Sequence, residues 1–264
     1  MGFPDRSALR AAVDHNGFER RPPNAAPAQP PLPGATIKRR YEVSALDPSG
    51  APLWFSRILP AQPHLDEAFA AFSRGTLIAT ADGPVAVEDL VPGMSLQTAD
   101  AGLRPLSWIG STMLAPCPGA ARAEASPFTR IAADSLGLGR PMPDLVLGPR
   151  ARMLFRHPGC RSLIGTETAF APAAAFVDGV SVIALRLQQA MQVYHLSLDG
   201  QHVLLANGVE VESYHPGENA AALMDHANRV QFLSLFPHLD RLEAFGRMAR
   251  PRLTAFETDA LRLA

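Results

Sequence analysis

The 264-residue chain is poor in several features, and each scarcity excludes a class of protein. Its two cysteines, Cys117 and Cys160, are too few for a disulfide framework. No apolar run reaches the roughly 18–20 residues that a membrane-spanning helix needs, and the first residues lack the apolar segment of a signal peptide. The net charge is only −1, without a basic stripe. We therefore expect no membrane span and no nucleic-acid partner.

The chain also lacks the short motifs of several enzyme classes. It contains no G-x-S-x-G nucleophile elbow, no phosphate-binding loop and no H-E-x-x-H zinc motif. Gly137-Leu138-Gly139 is followed by Arg-Pro-Met, which does not complete a dinucleotide fingerprint. His195 and His202 could form part of a metal site, but the nearest acidic residue is Asp199 and no fourth ligand is evident. The sequence therefore predicts neither a cofactor nor a metal.

What is present is a succession of short strands separated by turn residues. Residues 193–198 alternate in the period of two that a half-buried β-strand shows. Asp199-Gly200 and Asn207-Gly208 are hairpin signals because these residue types tolerate positive φ, and they frame predicted strands at 202–205 and 209–212. Many short strands at close spacing predict an all-β architecture.

The two ends of the chain differ in composition from the middle. Residues 1–34 are rich in Pro and Ala and predict a disordered arm, because they bury too little apolar surface to offset the entropy of ordering. Residues 35–68 predict a β-hairpin extension, with a short amphipathic helical piece beginning at Leu65. Residues 218–264 predict a short helical tail whose apolar face docks on its own domain, or alternatively on a partner.

Two longer stretches carry motifs. Residues 72–93 read F-S-R-G-T-L-I-A-T-A-D-G-P-V-A-V-E-D-L-V-P-G, and residues 193–208 read V-Y-H-L-S-L-D-G-Q-H-V-L-L-A-N-G. They resemble, in register, the N-terminal motif (C-F-x-x-G-T-x-I, then G-x-x-x-V-E-D-L-x-x-G-D) and the C-terminal motif (V-Y-D-L-T-V-x-x-x-H-x-F-x-A-N-G) of the Hint family. This family is the autoprocessing module of hedgehog proteins and inteins. The resemblance covers about residues 69–217 and is to the bacterial hedgehog/intein type. It implies a horseshoe-like domain of two pseudo-symmetric β-subdomains.

The resemblance also implies a chemistry that can be checked position by position. In the family, a Cys, Ser or Thr side chain attacks the preceding carbonyl, and the His of a T-x-x-H motif protonates the amide nitrogen. Splicing members end with a His-Asn pair. In this register the nucleophile is replaced by Ala71, and the Thr and His of T-x-x-H are replaced by Gly148 and Ala151. Glu212 and Ser213 stand at the His-Asn pair. No catalytic position is intact.

Two residues keep a side chain that such chemistry could use. His202 matches a family histidine and could be a relic proton shuttle, although a hydrogen-bonded histidine between strands is the favoured interpretation. Ser73 would be the nucleophile only if the register slipped by two residues, and an ordinary strand serine is favoured. We expect His195 to be a surface or packing residue.

These replacements predict a Hint domain that has lost self-cleavage and splicing and acts as a binding or structural scaffold, with a protein partner of unknown identity. Loss of even one such group costs several orders of magnitude in rate, so we do not expect an active enzyme. The alternative is an autoprotease that cleaves itself by an N–O acyl shift near Ser73. A hydrolase or metal site built from the loops is a third possibility. We expect a cytoplasmic protein, with non-classical export left open.

Overall fold

The computed structural model describes residues 37–116 and 127–263. The predicted arm at 1–34 and Cys117 lie outside these ranges. No helix within them is long and apolar enough to cross a membrane. The strands, in chain order, are β1 (Lys38–Leu46), β2 (Pro52–Pro60), β3 (Phe72–Ser73), β4 (Leu77–Thr80), β5 (Gly83–Ala86), β6 (Ser95–Thr98), β7 (Gly102–Pro105), β8 (Trp108–Leu114), β9 (Phe128–Ile131), β10 (Leu145–Leu147), β11 (Arg152–Arg156), β12 (Thr168–Pro172), β13 (Val182–Leu185), β14 (Met191–Ser197), β15 (Val203–Ala206) and β16 (Val209–Glu212).

The strands form two large antiparallel sheets, so the predicted all-β class is confirmed. The first sheet has the order β13-β9-β10-β3-β14-β8-β1-β2. The second has the order β12-β11-β16-β15-β4-β6-β7, with β5 paired to β4. Apolar side chains from both sheets, such as Phe72 and Leu196 from the first and Ile78 and Leu204 from the second, are buried in one core. Burial of this apolar surface is the main stabilising contribution.

The N-terminal hairpin is continuous with the first sheet. β1 and β2 pair along their full length around a turn in which the Asp47 carboxylate accepts hydrogen bonds from the backbone of Ser49 and Ala51. β1 then pairs with β8, from Tyr41 opposite Thr112 onwards. The hairpin is present as predicted, and the division of the chain at residues 34, 68 and 217 stays a prediction.

The Asn207-Gly208 turn joins β15 to β16, with φ of 48° and 81° at its two residues. This is the positive φ that the Asn-Gly pair predicts. β15 pairs on its other side with β4, where Ala206 lies opposite Ile78. The hairpins β4–β5 and β15–β16, each built on one of the two motifs, therefore lie side by side in the second sheet.

Within residues 37–116 and 127–263, helices are few and short. They are α1 (Pro63–Phe69), α2 (Cys160–Ile164), α3 (Ala220–Leu223), α4 (His226–Leu233) and α5 (Ala255–Leu263), with 3₁₀ turns at Val87–Asp89, Ala173–Phe176 and Leu242–Phe245. The tail docks on its own domain: the Trp108 ring stacks on Phe236 at 4.4 Å between ring centroids, and its Nε1 donates to the Leu235 carbonyl at 2.7 Å. Phe232 and Phe245 are buried in the same cluster.

Candidate functional site

The peptide bond between Ala70 and Ala71 is buried, and its N–H and C=O both form backbone hydrogen bonds, as does the carbonyl of Ala71 that follows. Ala71 N donates to the Tyr194 carbonyl at 3.0 Å, and the Ala70 carbonyl accepts from Arg150 N at 3.0 Å. The Ala71 carbonyl accepts from Gly148 N at 2.7 Å. The structure thus brings Ala71 directly against Gly148, the residue that the sequence register assigns to the Thr position of T-x-x-H. The Ala71 methyl is 1% exposed and faces the core between the sheets.

Gly148 approaches this peptide so closely that a side chain has no room. A Cβ built on Gly148 would clash with the Ala70 carbonyl oxygen and lie 2.9 Å from its carbonyl carbon. Real Cβ atoms essentially never show such contacts. The backbone has therefore closed over the space that a hydroxyl side chain at residue 148 would need.

Ala151 follows Gly148 in the turn that the hydrogen bond from Ala151 N to the Gly148 carbonyl closes, and it is also buried. Its carbonyl accepts a hydrogen bond from Ala173 N at 3.0 Å, and its methyl belongs to the core between the sheets. A methyl group carries no proton that it can give to an amide nitrogen. Arg150 is next to it, but a guanidinium is a permanent cation and does not serve as a proton donor.

Glu212 is 2% exposed and forms the centre of a charged cluster. Its carboxylate accepts from Arg252 Nε at 2.8 Å and from the Gln201 side-chain amide. Arg152 Nη1 lies 3.9 Å from the same carboxylate and 2.8 Å from that of Glu67. A buried carboxylate is tolerated when it is paired and hydrogen-bonded in this way. Its partner Arg252 comes from the tail, so the tail completes the cluster.

Ser213 and His202 are used in local hydrogen bonds. Ser213 Oγ accepts from His202 N at 2.8 Å and lies 3.4 Å from the Gly200 carbonyl. The His202 ring lies between two carboxylates, with Nδ1 3.4 Å from Asp100 Oδ2 and Nε2 3.1 Å from Asp199 Oδ1. Across residues 37–116 and 127–263, no group of three or more His, Cys, Asp and Glu side chains is arranged to hold a metal ion.

His195 is a packing residue in the interior. Its ring lies 5.7 Å from the Phe72 ring and 5.2 Å from the Tyr214 ring, measured between centroids. Burial, followed by repulsion from Arg252 and Arg152, lowers its pKa from 6.5 to about 3. Its Nδ1 has no hydrogen-bond partner among the described residues. This imidazole is therefore neutral near pH 7 and does not act as an imidazolium acid.

Ser73 is almost completely buried on β3. Its hydroxyl donates to the Val146 carbonyl at 2.7 Å. A nucleophilic serine instead needs a base that can take its proton, and a carbonyl oxygen does not serve as one.

The comparison with known families identifies the domain. The family model of the Hint domain matches residues 70–218. The chain belongs to the Hint domain family. It is also similar to solved structures: a bacterial intein-like domain from Clostridium thermocellum (11% identity, TM-score 0.36, covering 55% of this chain and 99% of that one), the MchDnaB-1 intein (14%, 0.32, 55% and 100%) and its N145AA form (15%, 0.31, 54% and 98%). No curated protein matches its sequence.

Several residues that matter at the site carry no motif. Arg252 lies in the tail, beyond the matched region, and only its position in the folded chain brings it to Glu212. Arg152 follows Ala151 directly, and Glu67 lies on α1. The one available signal was the presence of charged residues inside otherwise apolar strings such as A-R-M-L-F, which indicates either an exposed strand face or a buried pair.

Proposed function

We propose that this Hint domain neither cleaves nor splices itself and serves as an intact binding scaffold. The observation that carries the proposal is the side chain of Ala71, a methyl group at the nucleophile position. The backbone carbonyl of Ala71 accepts a hydrogen bond from Gly148 N. The acyl shift requires an oxygen or sulfur lone pair that adds to the carbonyl carbon of residue 70. A methyl group has no lone pair.

The surroundings of the Ala70–Ala71 peptide support the same proposal. The nitrogen of Ala71 donates its hydrogen to a carbonyl, and protonating this amide requires an acid that Ala151 does not supply. Glu212, at the family's His position, is held by Arg252 and Gln201. At the family catalytic positions that carry a side chain, that side chain thus packs in the core or forms a structural hydrogen bond.

Intact mass under denaturing conditions tests the proposal. After prolonged incubation with dithiothreitol or hydroxylamine, we expect one species at 28.2 kDa. The Ser73→Ala variant is the matched control and should give the same single species, apart from the loss of one oxygen. Fragments that join at Phe72 and Ser73 in the wild type, and their absence in Ser73→Ala, would overturn the proposal and make Ser73 the nucleophile.

A further inference from the structure

A cavity of about 230 Å³ opens beside the buried Ala70–Ala71 peptide. Its inner wall is apolar, because Ala70, Leu114 and Phe128 are buried in one small cluster at this place. Leu185 and Leu187 are half-buried against the same cluster and line the cavity as well. The wall therefore offers an apolar surface that the described residues cover only in part.

The charged residues around this cavity are mostly cationic. Among the described residues, three arginines and one aspartate line it (Arg39, Arg150, Arg186 and Asp66), with a formal excess of two positive charges. Arg39 is hydrogen-bonded to Asp66, so these two largely compensate each other. The Arg150 guanidinium forms no hydrogen bond or ion pair with any residue of the described ranges. It is a half-buried cation at an apolar cavity.

We propose that this cavity binds a small organic monoanion whose carboxylate sits on a short unbranched apolar chain. The carboxylate pairs with the planar guanidinium of Arg150, whose paired N–H groups match two carboxylate oxygens. The chain lies against Leu114, Phe128 and Leu187. The cavity of about 230 Å³ is much larger than one water requires, and it has room for a chain of several carbons.

The proposal deepens the scaffold function and rests on it. An uncleaved Ala70–Ala71 bond keeps α1, with Asp66, joined to the cavity wall at Ala70. The hydrogen bond from Arg150 N to the Ala70 carbonyl fixes the backbone from which the guanidinium extends. The position next to the family's cleavage point would thus serve recognition and not reaction.

Isothermal titration of the full chain with sodium octanoate tests the site. Octanoate should bind, and 1-octanol, which has the same chain without the charge, should bind at least about tenfold more weakly. Butyrate should also bind at least about tenfold more weakly, because less apolar surface is buried. Acetyl-leucyl-leucine carries the same carboxylate on the end of a peptide, and comparing its affinity with that of octanoate shows which source the site prefers.

Arg150→Gln should lower the affinity for octanoate by about tenfold or more. Arg247→Gln, at an exposed arginine of the tail, is the matched control and should leave it unchanged. Absence of octanoate binding to the wild type, equal binding of octanoate and octanol, or equal affinities of the two variants would each overturn the proposal. The mass of the same samples, measured under denaturing conditions, separates the two proposals. A chain that is intact but does not bind octanoate contradicts the proposed binding site and leaves the proposed absence of self-cleavage standing.

Discussion

At the scale of one residue, the backbone of Ala70 occupies the space beside Gly148, which the sequence register assigns to a catalytic position of the family. The T-x-x-H register predicts only that a hydroxyl is missing there. In the structure, the Ala70 carbonyl occupies the space that a Cβ would need. Restoring the missing hydroxyl residue would therefore require the strand ends at residues 71 and 148 to move apart.

Gly148→Ala should lower the free energy of unfolding by about 2 kcal/mol, because an added Cβ overlaps the Ala70 carbonyl in a closely packed region. Gly200→Ala is the matched control, since its nearest contact would be a His202 ring atom at 3.8 Å. Urea unfolding of both variants measures the difference. Equal midpoints for the two would show that the backbone at residue 148 is free to relax.

His195 makes the stability of the protein depend on pH. Its pKa is about 3 in the folded chain, where the ring is buried beside Arg252 and Arg152, and about 6.5 when it is unfolded. Between these values the unfolded chain binds the additional proton, so stability is present above pH 6.5 and falls as the pH is lowered towards 3. Burial lowers the pKa of His64, His215 and His238 too, and each adds to this loss in acid.

His195→Phe should reduce the loss of stability between pH 7 and pH 5 by about 2 kcal/mol. Below the unfolded-state pKa, each pH unit costs about 1.4 kcal/mol, and the variant no longer takes up this proton on unfolding. Phenylalanine keeps an aromatic ring between Phe72 and Tyr214. His226→Phe, at an exposed position on α4, is the control and should leave the dependence on pH as it is in the wild type. Urea midpoints at both pH values provide the measurement, and an unchanged difference in His195→Phe would refute the assignment.

The same site shows what the sequence can and cannot predict about single residues. The juxtaposition of Ala71 and Gly148 follows from two motifs in register. The burial of Glu212 does not follow, because alternation along V-E-V-E places both glutamates of β16 on the face opposite the valines. Glu212 is buried because the tail folds back and brings Arg252 to it. A contact between distant parts of the chain leaves no trace in local periodicity.

At the scale of elements, turn residues in the sequence predicted the hairpins. Strands that lack such turn residues were harder to predict. The hairpins β1–β2 and β15–β16 carry Pro-Ser-Gly and Asn-Gly turns and lie where they were predicted. β12 is a T-A-F-A-P string with little β-propensity, and it becomes a strand through pairing with β11, where Phe170 lies opposite Leu154. Helix α5 lies in the tail, where the sequence predicts helices, and it carries a capping box. Thr254 Oγ1 accepts from Glu257 N at 3.2 Å, and the Glu257 carboxylate accepts from Thr254 N at 2.8 Å.

The docking of the tail depends on one aromatic cluster. Phe236→Ala should lower the free energy of unfolding by about 3–5 kcal/mol, because it leaves a cavity against Trp108 and Tyr214. Phe256→Ala removes an aromatic ring that is 82% exposed and should change stability by less than about 0.5 kcal/mol. Thermal unfolding and limited proteolysis of the tail measure the effect. Similar stabilities of the two variants would show that the cluster contributes little to docking.

At the scale of the whole molecule, the region matched to the Hint family does not enclose its own core. Trp108 and Tyr214 lie inside residues 70–218, whereas the side chains that cover them include Phe69 before that region and Phe236 and Phe245 after it. A chain shortened to residues 70–218 would expose this aromatic surface. We therefore regard the hairpin and the tail as parts of the folded body that the family match alone does not reveal.

The position of Ala70 between α1 and β3 has a consequence for any Hint chemistry on this domain. In an active member, breaking the bond before the nucleophile lets the preceding segment leave. Here that segment supplies β1, which pairs with β8 over five residues, and it supplies Leu65 and Phe69 to the aromatic cluster. A nick at this bond would yield two polypeptides that remain a single particle, visible as two only after denaturation. Even if the chain regained its nucleophile, the two cleavage products would stay associated, and the domain would remain folded.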